Sequence, residues 1–383
     1  MRNNLSACGG HLALWGFVSL MLVNTVFAQG IVSFISRADF QVGVFPDSVI
    51  AGDFDGNGFL DLATANSFDA SVSILLGQGG GTFGTAQNLS VAGHPNSVTS
   101  GDFNGDGLLD LATANGIENS ISLLLGQGGG TFVVTQNFSV GGGPNAVTSG
   151  DFNGNGLLDL ATSNSIDSSV SILLGQGDGT FGMAQSFLAG NVPNSVLAGD
   201  FNGNGLLDLV TAHTASENIS ILLGQGDGSF GAAQSFSTGG GPKAVTSGDF
   251  NGDGRLDLAT AIGRINLDNI DSCINNSVSI LLGQGDGTFG MAQNFPEGVG
   301  NCPNAVTSVD FNGDGLLDLA TANILGDSVS LLLEQGGGTF GVAQNFSVGG
   351  GPDSVLAGDF NGNGLLDLVT TNLIDNSVSV LLR

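Results

Sequence analysis

Positive charge is scarce in this chain: 6 lysines and arginines stand against 34 aspartates and glutamates, a formal net charge of −28 over 383 residues. Such a balance excludes nucleic acid and anionic membrane as partners, because both would be repelled. Tyrosine is absent and the single tryptophan is Trp15, so a sugar stacked on an aromatic ring would have to use phenylalanine. Of the three histidines, His94 lies in a connection between repeats and His213 in a loop of a different repeat, and no nucleophile–base pairing is visible. A second apolar run as long as Leu12–Val23 does not occur.

That run belongs to an expected export leader. Arg2 supplies a positive start, Leu12–Val23 the apolar centre and Val26-Phe27-Ala28 a small-residue cleavage site, so residues 1–28 are set apart from the fold. The run is too short and too early for a membrane span. Cys8 precedes it instead of closing it, which argues against lipidation there. Residues 29–383 keep five basic residues (Arg37, Lys243, Arg255, Arg264, Arg383) against the 34 acidic ones, and 5 − 34 gives −29. They are expected to be secreted, cell-surface or periplasmic.

The chain is rich in glycine, with 66 residues, and 14 of them (two in each copy) fall in one motif, D-F-[DN]-G-[DN]-G-x-L-D, written seven times. The copies start at Asp53, Asp102, Asp151, Asp200, Asp249, Asp310 and Asp359, with spacings of 49, 49, 49, 49, 61 and 49. A hard cation such as Ca²⁺ takes six to eight oxygens from carboxylates, amides, backbone carbonyls and water, and alternate oxygen-bearing side chains on a tight loop supply them. Glycine at position 6 permits the turn that lets position 7 offer its carbonyl.

The candidate ligands at positions 1, 3, 5, 7 and 9 are Asp53, Asp55, Asn57, Phe59 and Asp61 in the first copy, then Asp102, Asn104, Asp106, Leu108 and Asp110. The third and fourth copies offer Asp151, Asn153, Asn155, Leu157 and Asp159, and Asp200, Asn202, Asn204, Leu206 and Asp208. The fifth has Asp249, Asn251, Asp253, Arg255 and Asp257, the sixth Asp310, Asn312, Asp314, Leu316 and Asp318, the seventh Asp359, Asn361, Asn363, Leu365 and Asp367. About seven Ca²⁺ are expected, held more tightly by the loops with three carboxylates (Asp53, Asp102, Asp249, Asp310) than by those with two. Position 12 is Thr in every copy, Thr64 in the first, where an EF-hand has its bidentate Glu, and the L-D-L-[AV]-T that follows reads as a strand.

The register points to a ring. Residues 29–383 amount to seven units of 49 plus the 12 extra residues of the fifth interval, and Gln29-Gly30 and Phe34 align with Gln78-Gly79 and Phe83. The expected fold is all-β: a seven-bladed β-propeller of four-stranded blades spanning 29–383. In one unit the strands read as Ser97–Phe103, Leu109–Ala114, Ser120–Leu125 and Val134–Val140, with the metal loop between the first two. Phe34–Val42 is expected to supply the outermost strand of the blade formed by the C-terminus, which removes an exposed edge. Seven of the eight prolines (Pro46, Pro95, Pro144, Pro193, Pro242, Pro303, Pro352) stand seven residues before a motif Asp, at the crossing between blades.

The unit also carries Phe83-Gly84-Thr85-Ala86-Gln87, repeated at Phe181, Phe230, Phe289 and Phe340. With the D-F-N-G-D-G loop it resembles the FG-GAP and VCBS repeats of secreted bacterial proteins and of the integrin α-subunit propeller, over residues 31–383. The resemblance implies calcium in the 1–2 loops of one face and ligand binding on the other. The function read from this is a protein-binding or adhesion module, with an extracellular protein or glycan as partner, no catalytic residues and a monomeric state. A calcium-dependent glycan binder is the alternative, and a carbohydrate-active enzyme ranks below it.

Two features break the repeat. Ten of the 12 extra residues fall in the 2–3 loop of the fifth unit and two in the following 4–1 loop, and each insertion carries one of the cysteines Cys273 and Cys302. Both loops emerge on the same face of a propeller, so a disulfide is expected to close a loop of about 30 residues. The polar Arg264, Asn266, Asp268, Asn269 and Asp271 there mark a recognition site. The 2–3 loops also carry Asp69, Glu118, Asp167, Glu217, Asp327 and Asp375, with Asp268 and Asp271 in the fifth unit, an expected acidic ring opposite the metals.

Overall fold

A computed structural model describes residues 32–266 and 269–383. The leader reading of residues 1–28 lies outside them. The described chain forms seven four-stranded antiparallel sheets, each one a blade. Blade 1 is built of Pro46–Gly52, Asp61–Asn66, Ser71–Leu75 and Gln87–Ser90, from the axis outward. Blade 2 repeats this with Pro95–Gly101, Asp110–Asn115, Ser120–Gly126 and Phe132–Ser139. The expected strands of that unit are each within two residues of these bounds. The inner strand starts on its proline, where no ladder N–H is required, and a register shift follows between Pro95 and Ser97.

The ring closes as the register indicates. Ser36–Gln41 pairs antiparallel with Ser377–Leu382, so the outermost strand of blade 7 comes from the N-terminal side and the inner three from the C-terminus. The inner strands of blades 7 and 1 then pack side by side, as do those of every neighbouring pair.

Packing is between blades. One core cluster joins Phe54, Ala63, Ala65, Val72 and Ile74 of blade 1 to Val98, Leu111, Leu124 and Phe132 of blade 2. The others repeat the pattern, and blade 7 contributes Phe360, Val369, Val378 and Val380 against Val49, Leu62, Leu75 and Phe83 of blade 1. This gives the F-G phenylalanine its purpose. Phe181 meets the loop Phe103 edge-on at 5.9 Å, Phe230 meets Phe152 at 5.9 Å and Phe289 meets Phe201 at 6.0 Å. Beside each ring pair a backbone bond ties the blades: Gly179 N–H donates to Phe103 O at 3.1 Å and Gly228 N–H to Phe152 O at 3.1 Å.

In blade 1 the second and third strands are buried along their whole length, polar residues included. On one side runs a hydrogen-bonded ladder. In blade 1, Thr64 Oγ1 donates to Asn66 Oδ1 at 2.9 Å, and Asn66 Nδ2 donates to Ser71 Oγ at 3.0 Å and Ser73 Oγ at 2.8 Å. The ladder recurs on Asn115, Asn164, Asn323 and Asn372.

Blade 5 departs from this. Its second and third strands run on as Asp257–Asn266 and Asn269–Leu281, so the ten inserted residues lengthen the hairpin into a ribbon where a longer loop was expected. Arg264 pairs with Ile274 and Ile265 with Cys273 in its backbone register. Cys273 and Cys302 are disulfide-bonded, with Cα atoms 5.2 Å apart.

Candidate metal centres

Each metal loop joins the inner strand of a blade to the second strand at one end of the ring. In the first, Gly56 and Gly58 take φ of 80° and 85°, left-handed values that a side chain disfavours, with open space where a Cβ would stand. The loop then wraps its backbone amides around Asp53: Gly56 N–H and Asn57 N–H donate to Oδ1 at 2.8 and 3.0 Å, and Gly58 N–H to Oδ2 at 2.9 Å. The loops starting at Asp102, Asp151, Asp249, Asp310 and Asp359 repeat all three bonds.

The ninth Asp does more than sequence reasoning assigned to it. Asp61 is fully buried; its Oδ2 accepts from Phe54 N–H at 2.7 Å and its Oδ1 from Gly77 N–H at 2.6 Å. Gly77 opens the turn between strands 3 and 4, so the carboxylate staples that turn to the metal loop. Asp110, Asp159, Asp208, Asp257, Asp318 and Asp367 make the same two bonds. Its presence in every copy is thus accounted for partly by folding; the donor stands 16 residues on in six blades and 26 in blade 5, and it is Gly in five blades, Glu334 in blade 6 and Arg383 in blade 7.

Do these residues fit a cation? In the first loop the carboxylates of Asp53, Asp55 and Asp61 offer oxygens within 4.8 Å of one another. Among the described residues no lysine or arginine lies within 4.0 Å of any loop carboxylate, the one ion pair being Arg37–Asp39 on the rim. Burial pushes the carboxyls of all seven ninth aspartates up from their ordinary value, that of Asp318 to about 6. In the first loop a buried carboxylate beside the half-buried Asp55 and the exposed Asp53, with no basic partner, fits a hard cation.

The seven loops are not equal. In the first, position 3 is Asp55, and three carboxylates gather. In the loops at Asp102, Asp249 and Asp310 the third carboxylate is at position 5, and it accepts from the position-3 amide, Asn104 Nδ2 to Asp106 Oδ2 at 2.9 Å in the second loop. The three-carboxylate loops therefore differ among themselves in geometry. In the two-carboxylate loops the position-3 amide turns its NH₂ onto the ninth Asp: Asn153 to Asp159 Oδ2 at 3.1 Å, Asn202 to Asp208 Oδ2 at 3.1 Å, Asn361 to Asp367 Oδ1 at 3.0 Å.

The opposite face carries the 2–3 loops, where the described acidic residues stand exposed and four of them each accept one backbone bond. Asp69 Oδ2 accepts from Val44 N–H at 3.0 Å, Asp167 Oδ2 from Gly142 N–H at 2.5 Å, Asp375 Oδ2 from Gly350 N–H at 2.6 Å and Asp327 Oδ1 from Gly351 N–H at 2.9 Å. Each pins the neighbouring 4–1 loop. Asp268 and the side chains of Arg264, Asn266, Asn269 and Asp271 lie outside the described residues. What sequence reasoning missed on this face is apolar. Ile374, Phe68, Ile117 and Ile166, at 72, 69, 62 and 76% exposure, crown the adjacent blades 7, 1, 2 and 3. Phe45 lies against Phe68, ring centres 5.7 Å apart.

His213 is not a loop residue. It ends the second strand of blade 4, fully buried, in the place of the ladder asparagine. Thr211 Oγ1 lies 2.9 Å from its Nε2 and Asn191 O 3.2 Å from its Nδ1. Burial lowers its pKa. It cannot serve as an exposed general base.

A propeller of Asp/Asn/Gly-loop repeats defines the class, and comparison with known proteins agrees. The FG-GAP-like repeat matches residues 53–113, 102–162, 151–211, 200–260 and 310–370. The chain belongs to the FG-GAP-like repeat family. No curated protein matches it. Among solved structures it resembles BBS1N in complex with ARL6DN, at 12% identity over 91% of this chain and 97% of that one, TM-score 0.63. It also resembles virginiamycin B lyase from Staphylococcus aureus, at 12% identity over 91 and 99%, TM-score 0.60. A protein from Lactobacillus plantarum matches at 14% identity over 81 and 86%, TM-score 0.56. Likeness at this identity shows the fold. Among the described residues no helix is long and apolar enough to cross a membrane.

Proposed function

We propose that the protein is an exported, calcium-stabilised propeller that acts as a protein-binding or adhesion module. The observation that carries the binding role is the arc formed by Ile374, Phe68, Ile117 and Ile166 on four adjacent blades, since large apolar side chains exposed side by side mark docking surfaces. Calcium is assigned to the loops because the buried ninth Asp of each lacks a basic partner and, in the first loop, stands beside two further carboxylates. The first loop is the best supported, and the others follow from the shared frame. Among solved propellers of this shape, one is seen with a protein partner. The fold also serves a lyase, but the burial of His213 leaves the half-buried His94 as the other histidine of the described residues, on a different blade, so a binding role fits better than histidine-based elimination. Changing Phe68, Ile117 and Ile166 together to Glu should abolish capture of the partner from the source's own surface or culture fluid, while melting in calcium stays as in wild type. Undiminished capture would remove the arc from the account.

One observation favours the glycan reading: Phe45 and Phe68 form an exposed aromatic pair on which a sugar ring could stack. Saturable hits on a glycan array with calcium-loaded protein, lost in Phe68→Ala, would establish it.

A further inference from the structure

The residue after each repeat proline faces the axis of the ring, and the seven of them line one cavity of about 260 Å³. Four are asparagines and three are not. The asparagines are tied into the scaffold. Asn96 Nδ2 donates to Pro144 O of the next blade at 3.1 Å, Asn145 Nδ2 to Pro193 O at 3.4 Å, and Asn194 Nδ2 to Thr214 Oγ1 at 2.5 Å.

The charged members are Asp353 of blade 7, Asp47 of the adjacent blade 1, and Lys243 of blade 5. Blade 5 stands two and three places away around the ring, so the ammonium faces the carboxylate pair across the cavity. Among the described residues Lys243 makes no ion pair within 4.0 Å. Asp353 accepts from Asn304 Nδ2 at 2.7 Å, which leaves most of its acceptor capacity unused. Burial pushes the carboxyl of Asp353 up to about 8, with the charge of Asp47 raising it further and Lys243 lowering it, and pushes that of Asp47 up to about 6, with a hydrogen bond from Ser67 and the charge of His94 lowering it. Neither the aspartate pair nor Lys243 has an oppositely charged side chain within 4.0 Å among the described residues.

We propose that this axial cavity binds a small zwitterion, a molecule with an ammonium group seated between Asp47 and Asp353 and a carboxylate at Lys243. A divalent cation would use the aspartates but meet Lys243 as a repulsive neighbour. An amine alone would leave Lys243 without a partner, and a zwitterion satisfies both. The volume, just below the roughly 300 Å³ at which drug-sized pockets begin, suits a ligand of amino-acid size. The site shares no residue with the metal loops or the apolar arc.

The test is calorimetric titration of the calcium-saturated protein with glycine, β-alanine, γ-aminobutyrate and ε-aminocaproate, beside butylamine, butyrate and excess calcium chloride. At least one amino acid should bind saturably with Kd below about 1 mM, and Lys243→Met and Asp353→Asn should each weaken it by about tenfold or more while melting as wild type does. No saturation by any amino acid up to about 10 mM would overturn the proposal. So would affinity unchanged in both variants, or butylamine binding as tightly as the best amino acid with Lys243→Met without effect. Should a variant melt early, competition by butylamine and butyrate on the wild type decides: each should displace the amino acid weakly, and failure of both to do so would count against the two-ended site.

Discussion

Blades 1 and 5 are alike at the metal end and different at the other. In blade 1, Thr64, Asn66, Ser71 and Ser73 satisfy one another inside the sheet, and a short loop closes the hairpin. In blade 5, Ile262 stands where Asn66 does, and Thr260 Oγ1 is buried without a partner. The hairpin instead runs on as a ribbon held by the Cys273–Cys302 bond. The difference teaches that the repeat is strict where every blade faces the same demand, and free where a covalent staple can replace a side-chain network.

The two blades should respond alike to calcium removal, the largest effect. Tenfold excess calcium over Kd adds about 1.4 kcal/mol per site, so seven sites contribute on the order of 10 kcal/mol, and EDTA should lower Tm by about 10–15 °C. The pH dependence should change as well. Without metal, the ninth aspartates have folded pKa values above the unfolded 3.8, Asp318 at about 6. The folded state then binds more protons, and stability should fall as pH rises from about 4 to 6. Calcium holds these groups ionised, so in its presence that fall should vanish. Melting across that range with and without EDTA checks both.

Blades 1 and 5 part company at the disulfide. Replacing Cys273 and Cys302 by Ser should cost about 3–4 kcal/mol, from a closed loop with a sequence separation of 29. Denaturant unfolding measures it. No other blade offers such a handle.

The ninth Asp separates metal from scaffold. Asp61→Asn should cost about 1–3 kcal/mol even in EDTA, because the staple to Gly77 N–H and Phe54 N–H is weakened. A cost confined to calcium-loaded protein would make Asp61 a ligand and nothing else.

Smallest is the ladder. Thr64→Val should cost about 1–2 kcal/mol by orphaning Asn66, whereas Thr260→Val should be neutral or mildly stabilising, since it removes an unsatisfied hydroxyl. Blade 4 adds a pH arm. The folded pKa of His213 is lowered by burial, so its neutral form contributes stability above the unfolded value of about 6.5, lost as pH falls below that. His213→Asn should flatten that slope, as urea midpoints at pH 5 and 7 would reveal.

The period, the loop motif and the closing strand were legible because each is a residue type at a fixed spacing. The inner-strand proline and the Cys273–Cys302 pair followed from the same counting. Other features were illegible because they depend on what a side chain meets across the fold. The spacing of Asp61 does not disclose that its carboxylate reaches Gly77. His213 looked like a loop residue because the ladder position it fills is recognisable only once Asn66 and its counterparts are seen buried. The acids at Asp69, Asp167 and Asp375 suggested a charged crown, and they do stand exposed there, each also accepting one backbone bond; the neighbouring exposed Phe68, Ile166 and Ile374 were not signalled by that pattern.

Calcium titration of the metal-stripped chain by calorimetry tests the central claim most directly. The account predicts close to seven ions, with the Asp53 loop tightest and the loops at Asp151, Asp200 and Asp359, whose amide NH₂ groups face the ninth Asp, weakest. Fewer than four ions, or a single uniform class across all loops, would contradict it.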